Sequence, residues 1–241
     1  MKIGIISDIH SNLEALEAVV KKIEKEVDEI YCLGDIVGYG PNPNECVSYI
    51  KKINASIIGN HDAAVVGRLD YDNFNPLAQY AIDWTRENIT PENFEFLYKL
   101  PEKLNFEWGG IVHGSIRKPL EEYLVTYNSV FANFNLMDEN IYFFGHSHIA
   151  GVFIYENDEI KYLSMVKGGE IEIQPKNKYL INPGSVGQPR DGNWKSSFGI
   201  YDTKNHVFKV YRVDYLIEIT QKKMQLLGFP RPLWERLSFG R

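Results

Sequence analysis

Ile3-Gly4-Ile5-Ile6-Ser7-Asp8-Ile9-His10 is the stretch on which the fold turns. Its first four residues are apolar and mostly β-branched, which suits a short strand buried on both faces better than a helix. Ser7 opens a turn, and Asp8 and His10, two positions apart in extended chain, project to the same side. The pattern recurs. Ile30-Tyr31-Cys32-Leu33 runs into Gly34-Asp35, and Ala55-Ser56-Ile57-Ile58 into Gly59-Asn60-His61-Asp62. Gly110-Ile111-Val112 runs into His113-Gly114, and Ile141-Tyr142-Phe143-Phe144 into Gly145-His146-Ser147-His148. Every candidate ligand therefore sits at the C-terminal end of an expected strand, the edge where open α/β sheets bind ligands, so five strands can deliver these side chains to one crevice.

The donors are Asp8, His10, Asp35, Asn60, His113, His146 and His148, all oxygen or nitrogen, with no thiolate. One ion does not need seven. A shared carboxylate lets two ions about 3.5–4 Å apart each take roughly four protein ligands and keep positions open for water and substrate. Mixed imidazole, carboxylate and amide ligation suits manganese, iron, zinc or nickel more than calcium or magnesium. Water between two such dications is largely hydroxide at neutral pH and is placed for in-line attack on phosphorus, while the ions neutralise phosphate oxygens. His61 follows Asn60 and is not needed for metal binding, which leaves it free to protonate the leaving oxygen. Asp62 is the accompanying catalytic candidate, either orienting that imidazole or holding the loop backbone. His206 falls instead in an expected hairpin turn between 198–201 and 207–210.

Taken together and in this order, the five motifs resemble those of the calcineurin-like metallophosphoesterases, over roughly residues 1–202. The resemblance implies an α/β fold, a four-layer αββα sandwich with two mixed β-sheets. It also implies that Asp8, His10, Asp35 and His148 hold one ion while Asp35, Asn60, His113 and His146 hold the other, with Asp35 as the bridge. Protein serine/threonine phosphatases of this superfamily carry an Asp-Arg-Gly run where this chain has Gly38-Tyr39-Gly40. That difference and the modest length favour the compact prokaryotic branch, which includes phosphodiesterases and dinucleoside-polyphosphate hydrolases. The expected substrate is thus a small phosphorylated molecule, a phosphodiester or a nucleotide-type phosphoanhydride. The alternatives are a phosphomonoesterase or protein phosphatase, and a non-catalytic binding scaffold such as the retromer subunit, which shares the fold but has lost the residue equivalent to His61. A metallo-β-lactamase-type hydrolase needs a His-x-His-x-Asp-His run, which this chain does not contain.

Around the metals the sequence offers Asn12, Tyr39 and Arg190 as substrate contacts. Arg190 lies in the glycine-rich stretch 182–190, where a guanidinium can approach phosphate or pair with Asp191. Residues 11–26 have helical periodicity with Ser11 as expected N-cap and Glu14 as its capping-box partner. A helical insert is expected over about 64–100, in which Thr90-Pro91-Glu92 starts a helix and Pro101 stops one. Within it Phe74, Asn75, Trp84 and Arg86 form either a lid or the insert's own core. From 150 the pattern turns to short strands, and a C-terminal helical tail is expected over about 215–241, docked on a single domain spanning 1–241.

With 241 residues, 44% hydrophobic, the chain can bury a sizeable core. The net charge of −6 and the absence of any Lys/Arg cluster argue against an extended nucleic-acid face. No apolar stretch approaches a membrane span, and a strand begins at Lys2, so a cytoplasmic protein is expected. Cys32 and Cys46 are expected to be reduced structural thiols. Oligomeric state has no signature in the sequence.

Overall fold

A computed structural model describes residues 1–241. Strand β1 (Lys2–Ile6) turns Ile3 and Ile5 toward one core and Ile6 toward another, the physical reason its sequence is apolar on both faces. It runs parallel to β2 (Glu29–Cys32), which runs parallel to β3 (Ala55–Ser56). Helices α1 (Leu13–Ile23) and α2 (Pro43–Ile50) provide the crossovers. On the other edge of β1, β11 (Ser196–Asp202), β12 (Val207–Val213) and β9 (Gly169–Glu172) add antiparallel, giving the order β3-β2-β1-β11-β12-β9.

The second sheet comprises β4 (Lys103–Phe106), β5 (Gly109–Val112), β6 (Ile141–Phe143), β10 (Lys178–Asn182), β7 (Gly151–Glu156) and β8 (Glu159–Ser164), in that spatial order. Strands β5, β6 and β10 are parallel, and the rest pair antiparallel. Ile3, Ile5, Leu33 and Phe208 of the first sheet pack with Ile111, Phe143, Val152 and Ile181 of the second, forming the central core. Outside the first sheet, α1, α2 and the C-terminal elements bury the largest cluster, 34 residues, whereas α6 (Tyr127–Phe134) covers only eight outside the second. The layers are therefore helix, sheet, sheet, helix, with most of the helical cover over the strands that carry Asp8 and Asp35.

Three local readings change. Asn12, not Ser11, caps α1: its Oδ1 accepts from Ala15 N at 3.2 Å, while Ser11 sits in left-handed backbone at φ 53°. β3 is two residues long, because Ile58 N leaves the ladder for Pro101 O at 2.8 Å. The segment after it is already helical, as α3 (Asn60–Val65). The expected insert helices are α4 (Pro76–Asn88), capped by Asn75, and α5 (Pro91–Lys99), capped by Thr90. The 203–206 turn joins β11 to β12 as expected. The tail is more elaborate than one helix: α7 (Ile217–Leu226) ends before Gly228, at φ 76°, and is followed by α8 (Arg231–Glu235) and a 3₁₀ turn, Arg236–Phe239. Leu233 and Leu237 of these last turns are buried in the same cluster as α1.

Asn12 also ties the tail down. Its Nδ2 donates to Gly187 O at 2.8 Å and to the Tyr215 hydroxyl at 3.3 Å, and Thr220 Oγ1 donates to its Oδ1 at 3.0 Å. Asn12→Ala strips a helix cap and leaves buried partners unpaired, so a loss of about 2–3 kcal/mol in unfolding free energy is expected by urea denaturation. An unchanged midpoint would show that the cap and the tail anchor contribute nothing.

Candidate metal centre

Five of the seven expected ligands occupy left-handed backbone, not the extended chain from which Asp8 and His10 were expected to project together: Asp8, His10, Asp35, His146 and His148 have φ between 50° and 62°. Non-glycine residues hold that conformation only where surroundings enforce it, and such strain clusters at functional sites. Here backbone bonds enforce it, with Asp8 N donating to Gly34 O at 3.1 Å and His10 N to Asp35 O at 2.9 Å, which zips the loop after β1 to the loop after β2. Gly59 admits the third loop: a Cβ there would stand 2.1 Å from Asp35 Oδ1.

The ligand atoms converge in two sets. Those of Asp8, His10, Asp35 and His148 lie within 4.8 Å of one another, as do those of Asp35, His113 and His146. Asn60 Oδ1 joins the second set, 2.9 Å from His113 Nε2. Asp35 Oδ2 belongs to both, 3.5 Å from His10 Nε2 and 3.3 Å from His113 Nε2. All seven residues are buried.

The donor set fits metal ions. His10, His113 and His148 each direct Nδ1 at a backbone carbonyl, of Val37, Leu33 and Gln188, at 3.1, 2.8 and 2.6 Å. Carbonyls only accept, so Nδ1 carries the proton and the Nε2 lone pair of a neutral ring points inward. His10 Nε2 and His148 Nε2 then face each other at 3.1 Å, two lone pairs that a cation between them would reconcile. Asp8 Oδ2 and His146 Nε2 are buried with no hydrogen-bond partner at all.

Without ions, electrostatics strain the cluster. Burial drives His10 and His148 well below the usual imidazole range and His146 down to about 3, and it pushes Asp8 up to about 6. Burial disfavours charge on Asp35 and His113 as well, yet their mutual attraction wins, lowering Asp35 and raising His113 to about 9. At neutral pH the metal-free site thus contains a His113–Asp35 ion pair whose proton must leave before His113 can ligate.

His61 stands beside the ligands, its ring 4.9 Å from that of His10, 4.5 Å from Tyr39 and, edge-on, 5.6 Å from Phe74. Its backbone N–H donates to Asp35 Oδ1 at 2.9 Å, its Nδ1 has no partner, and burial lowers its pKa to about 4. Gly38, at φ 88°, makes room for the ring, since a Cβ there would lie 2.6 Å from Nδ1. Asp62 serves the backbone: Oδ1 accepts from Val37 N at 2.9 Å and Oδ2 from Gly59 N at 3.0 Å, so it braces the two loops flanking Asp35. Of its two expected roles, the contacts are those of holding the loop backbone.

The expected substrate contacts separate. Asn12 is fully engaged in capping, as above. Tyr39 is buried against His10 and His61. Arg190 has no carboxylate partner, because Arg212 takes Asp191; it lies 5.5 Å from the centre of the Tyr39 ring with its Nε unsatisfied. Of the insert residues only Phe74 reaches the site: Asn75 caps α4, Trp84 packs on Phe229 and Arg86 binds the carbonyls of Ala64 and Val65. Two residues at the site had no motif to announce them. Tyr123 stacks on His146 with centroids 3.8 Å apart and remains 45% exposed, and Arg236 lies 5.9 Å from the Tyr39 ring.

The sequence profile of the calcineurin-like phosphoesterase superfamily domain matches residues 1–206. The chain belongs to that superfamily. A metallophosphoesterase from Sphaerobacter thermophilus has the same structure, with a TM-score of 0.91 and 39% identity, covering 100% of this chain and 99% of that one. An uncharacterised protein of Methanocaldococcus jannaschii is 44% identical over 99% of this chain and 98% of its own length. A local likeness, 32% identity over 63 residues, links 24% of the chain to 23% of a symmetrical bis(5'-nucleosyl)-tetraphosphatase from Psychromonas ingrahamii. The superfamily is metal-dependent, and this chain offers two carboxylates, four imidazoles and one amide that could hold metal ions.

Removing metal by chelation should lower the melting temperature by about 10 °C, taking roughly 4 kcal/mol of linkage and 2–4 °C per kcal/mol at this size. Because His113 is protonated below about 9 in the metal-free site, manganese affinity should fall at least about tenfold from pH 8 to pH 6 in competition with a chromogenic chelator. Affinity independent of pH would contradict the ion pair. Asp35→Asn keeps an acceptor for His61 N–H but removes the shared charge, and elemental analysis should find at least one ion lost. Retention of both would mean that the bridge lies elsewhere.

Proposed function

We propose that this protein is a dinuclear metal-dependent phosphoesterase that hydrolyses small phosphodiester or nucleotide-type phosphoanhydride substrates. The observation that carries the reading is the convergence of seven buried donors, with Asp35 common to both sets, and with His61 beside them and outside the ligand set. Asp8, His10, Asp35 and His148 would hold one ion, and Asp35, Asn60, His113 and His146 the other. Bound there, manganese, iron, zinc or nickel supplies an acidified water and positive charge for phosphate oxygens.

The chain's own groups do the rest. Asp62 fixes the loops that carry Asp35 and His61, so that imidazole and bridge keep a constant separation. His61 is neutral at pH 7, and a phosphate against it restores the basicity that burial removes, so the ring can hold the proton passed to the leaving oxygen. Phe74 and Tyr39 shield that ring from water. Arg190 has no carboxylate of its own; one Nη donates to Gln188 Oε1 at 2.9 Å, which leaves its other N–H groups to donate to a phosphate oxygen. The likeness to the tetraphosphatase supports the phosphoanhydride side of the reading. Buried, unpaired Cys32 and Cys46 support placement in the cytoplasm, and no helix is long and apolar enough to cross a membrane.

Hydrolysis of bis-p-nitrophenyl phosphate by manganese-loaded protein, beside the corresponding monoester, tests the proposal. Turnover should require metal, and His61→Ala should lower it about 10²–10⁴-fold while leaving metal content intact. Full activity in that variant would remove His61 from the chemistry. No turnover with any of the four metals would favour a binding scaffold.

A further inference from the structure

We infer that Arg236, brought in by the C-terminal tail, acts with Arg190 as a clamp for a second phosphoryl group, so that the site selects phosphoanhydrides over esters with one phosphoryl group. This inference rests on the phosphoesterase reading above. The two guanidinium groups lie 5.5 and 5.9 Å from the centre of one ring, Tyr39, and that ring is packed on His10 and His61. Both cations thus address the same ring, and Arg190 is near enough to bear on the charge of Arg236. Here neither arginine forms an ion pair with Asp or Glu, whereas Arg68, Arg117, Arg212 and Arg231 all do. The electron-rich face of Tyr39 makes the pairing tolerable, and a multiply charged ligand would make it favourable.

Arg236 is also held in place. Leu233 and Leu237, on either side of it, are buried in the core. Gln221 Nε2 donates to Trp234 O at 2.8 Å and to Ser238 Oγ at 2.9 Å, which fixes the last turn on α7. Gly192 N, two residues beyond Arg190, donates to Gly240 O at 3.0 Å. The tail tip is thereby fastened to the loop that carries the other arginine. Arg236 Nε donates to Arg241 O, and its two Nη groups make no hydrogen bond within the chain. Burial, and then Arg190, lower its pKa.

A scissile phosphoryl group placed against the seven donors and His61 would leave its phosphoanhydride neighbour beside Tyr39, within reach of both forks. The superfamily profile ends at residue 206, so this arm of the site comes from a part of the chain beyond it.

The test compares kcat/KM for diadenosine tetraphosphate with kcat/KM for p-nitrophenyl phosphate, both with manganese-loaded protein. Arg236→Ala should lower the ratio of the two roughly 10- to 100-fold, mainly through KM for the tetraphosphate, and Arg236→Lys should recover part of it. Arg231→Ala, an exposed arginine already paired with Glu235, should leave the ratio within about twofold. Calorimetry with methylenediphosphonate and methylphosphonate gives a readout that needs no turnover. Arg236→Ala should weaken the first at least about tenfold more than the second. If wild-type protein hydrolyses nothing but shows that binding difference, the enzymatic reading fails and the clamp stands. Equal weakening of both phosphonates, or an unchanged ratio, would overturn the clamp.

Discussion

One carboxylate oxygen couples the two halves of this molecule. Asp35 Oδ2 comes from the loop after β2 in the first sheet, and His113, 3.3 Å away, follows β5 in the second. Their attraction is strong enough to overcome the cost of burying both charges, which the directions of their pKa shifts record. The sheets must therefore pack in one register, since a slip of one residue in β2 or β5 would turn Asp35 or His113 toward the wrong layer. The central core supplies the affinity between the sheets, and the ligands specify how they align. Conversely, the polar cluster is viable only because the apolar packing beneath it, Leu33, Ile57 and Ile111 among others, is fully buried and rigid.

The left-handed turns are the local counterpart of that constraint. A strand that simply continued past Ile6 would alternate Ser7, Asp8 and Ile9 across the sheet. By reversing the backbone at Asp8 and again at His10 and Ser11, the chain turns polar side chains into the crevice and Ile9 into the outer core. The bonds from Asp8 N to Gly34 O and from His10 N to Asp35 O offset the strain. Two neighbouring loops thus hold one another in conformations that neither would adopt alone.

The convergence of the seven expected donors, with His61 beside them, was legible because each combines a distinctive type with a position after an apolar run. The alternation of strand and helix through α2, the insert helices and the 203–206 turn were legible for the same local reasons. Capping of α1 was misread because Ser11 and Asn12 are both good caps and only the left-handed Ser11 backbone decides between them. That Arg190 has no carboxylate partner depends on Arg212, on β12, taking Asp191. Tyr123 and Arg236 are ordinary residues in ordinary segments, and they reach the site only through tertiary docking of the 115–125 loop and the tail. Long-range placement of that kind leaves no periodicity and no motif.

The pairing of β1 with β11 has a bearing on biosynthesis. β1 occupies an interior position in its sheet, yet its partner on one side, residues 196–202, is synthesised long after it. At translation rates of roughly 5–20 residues per second, β1 waits on the order of ten to forty seconds with an apolar edge uncovered. Until β11 is made, β2 is the only one of the native strand partners of β1 that is available. A polypeptide cut short before β11 would leave that apolar edge of β1 unpaired, the kind of exposed edge that makes incomplete chains prone to aggregate.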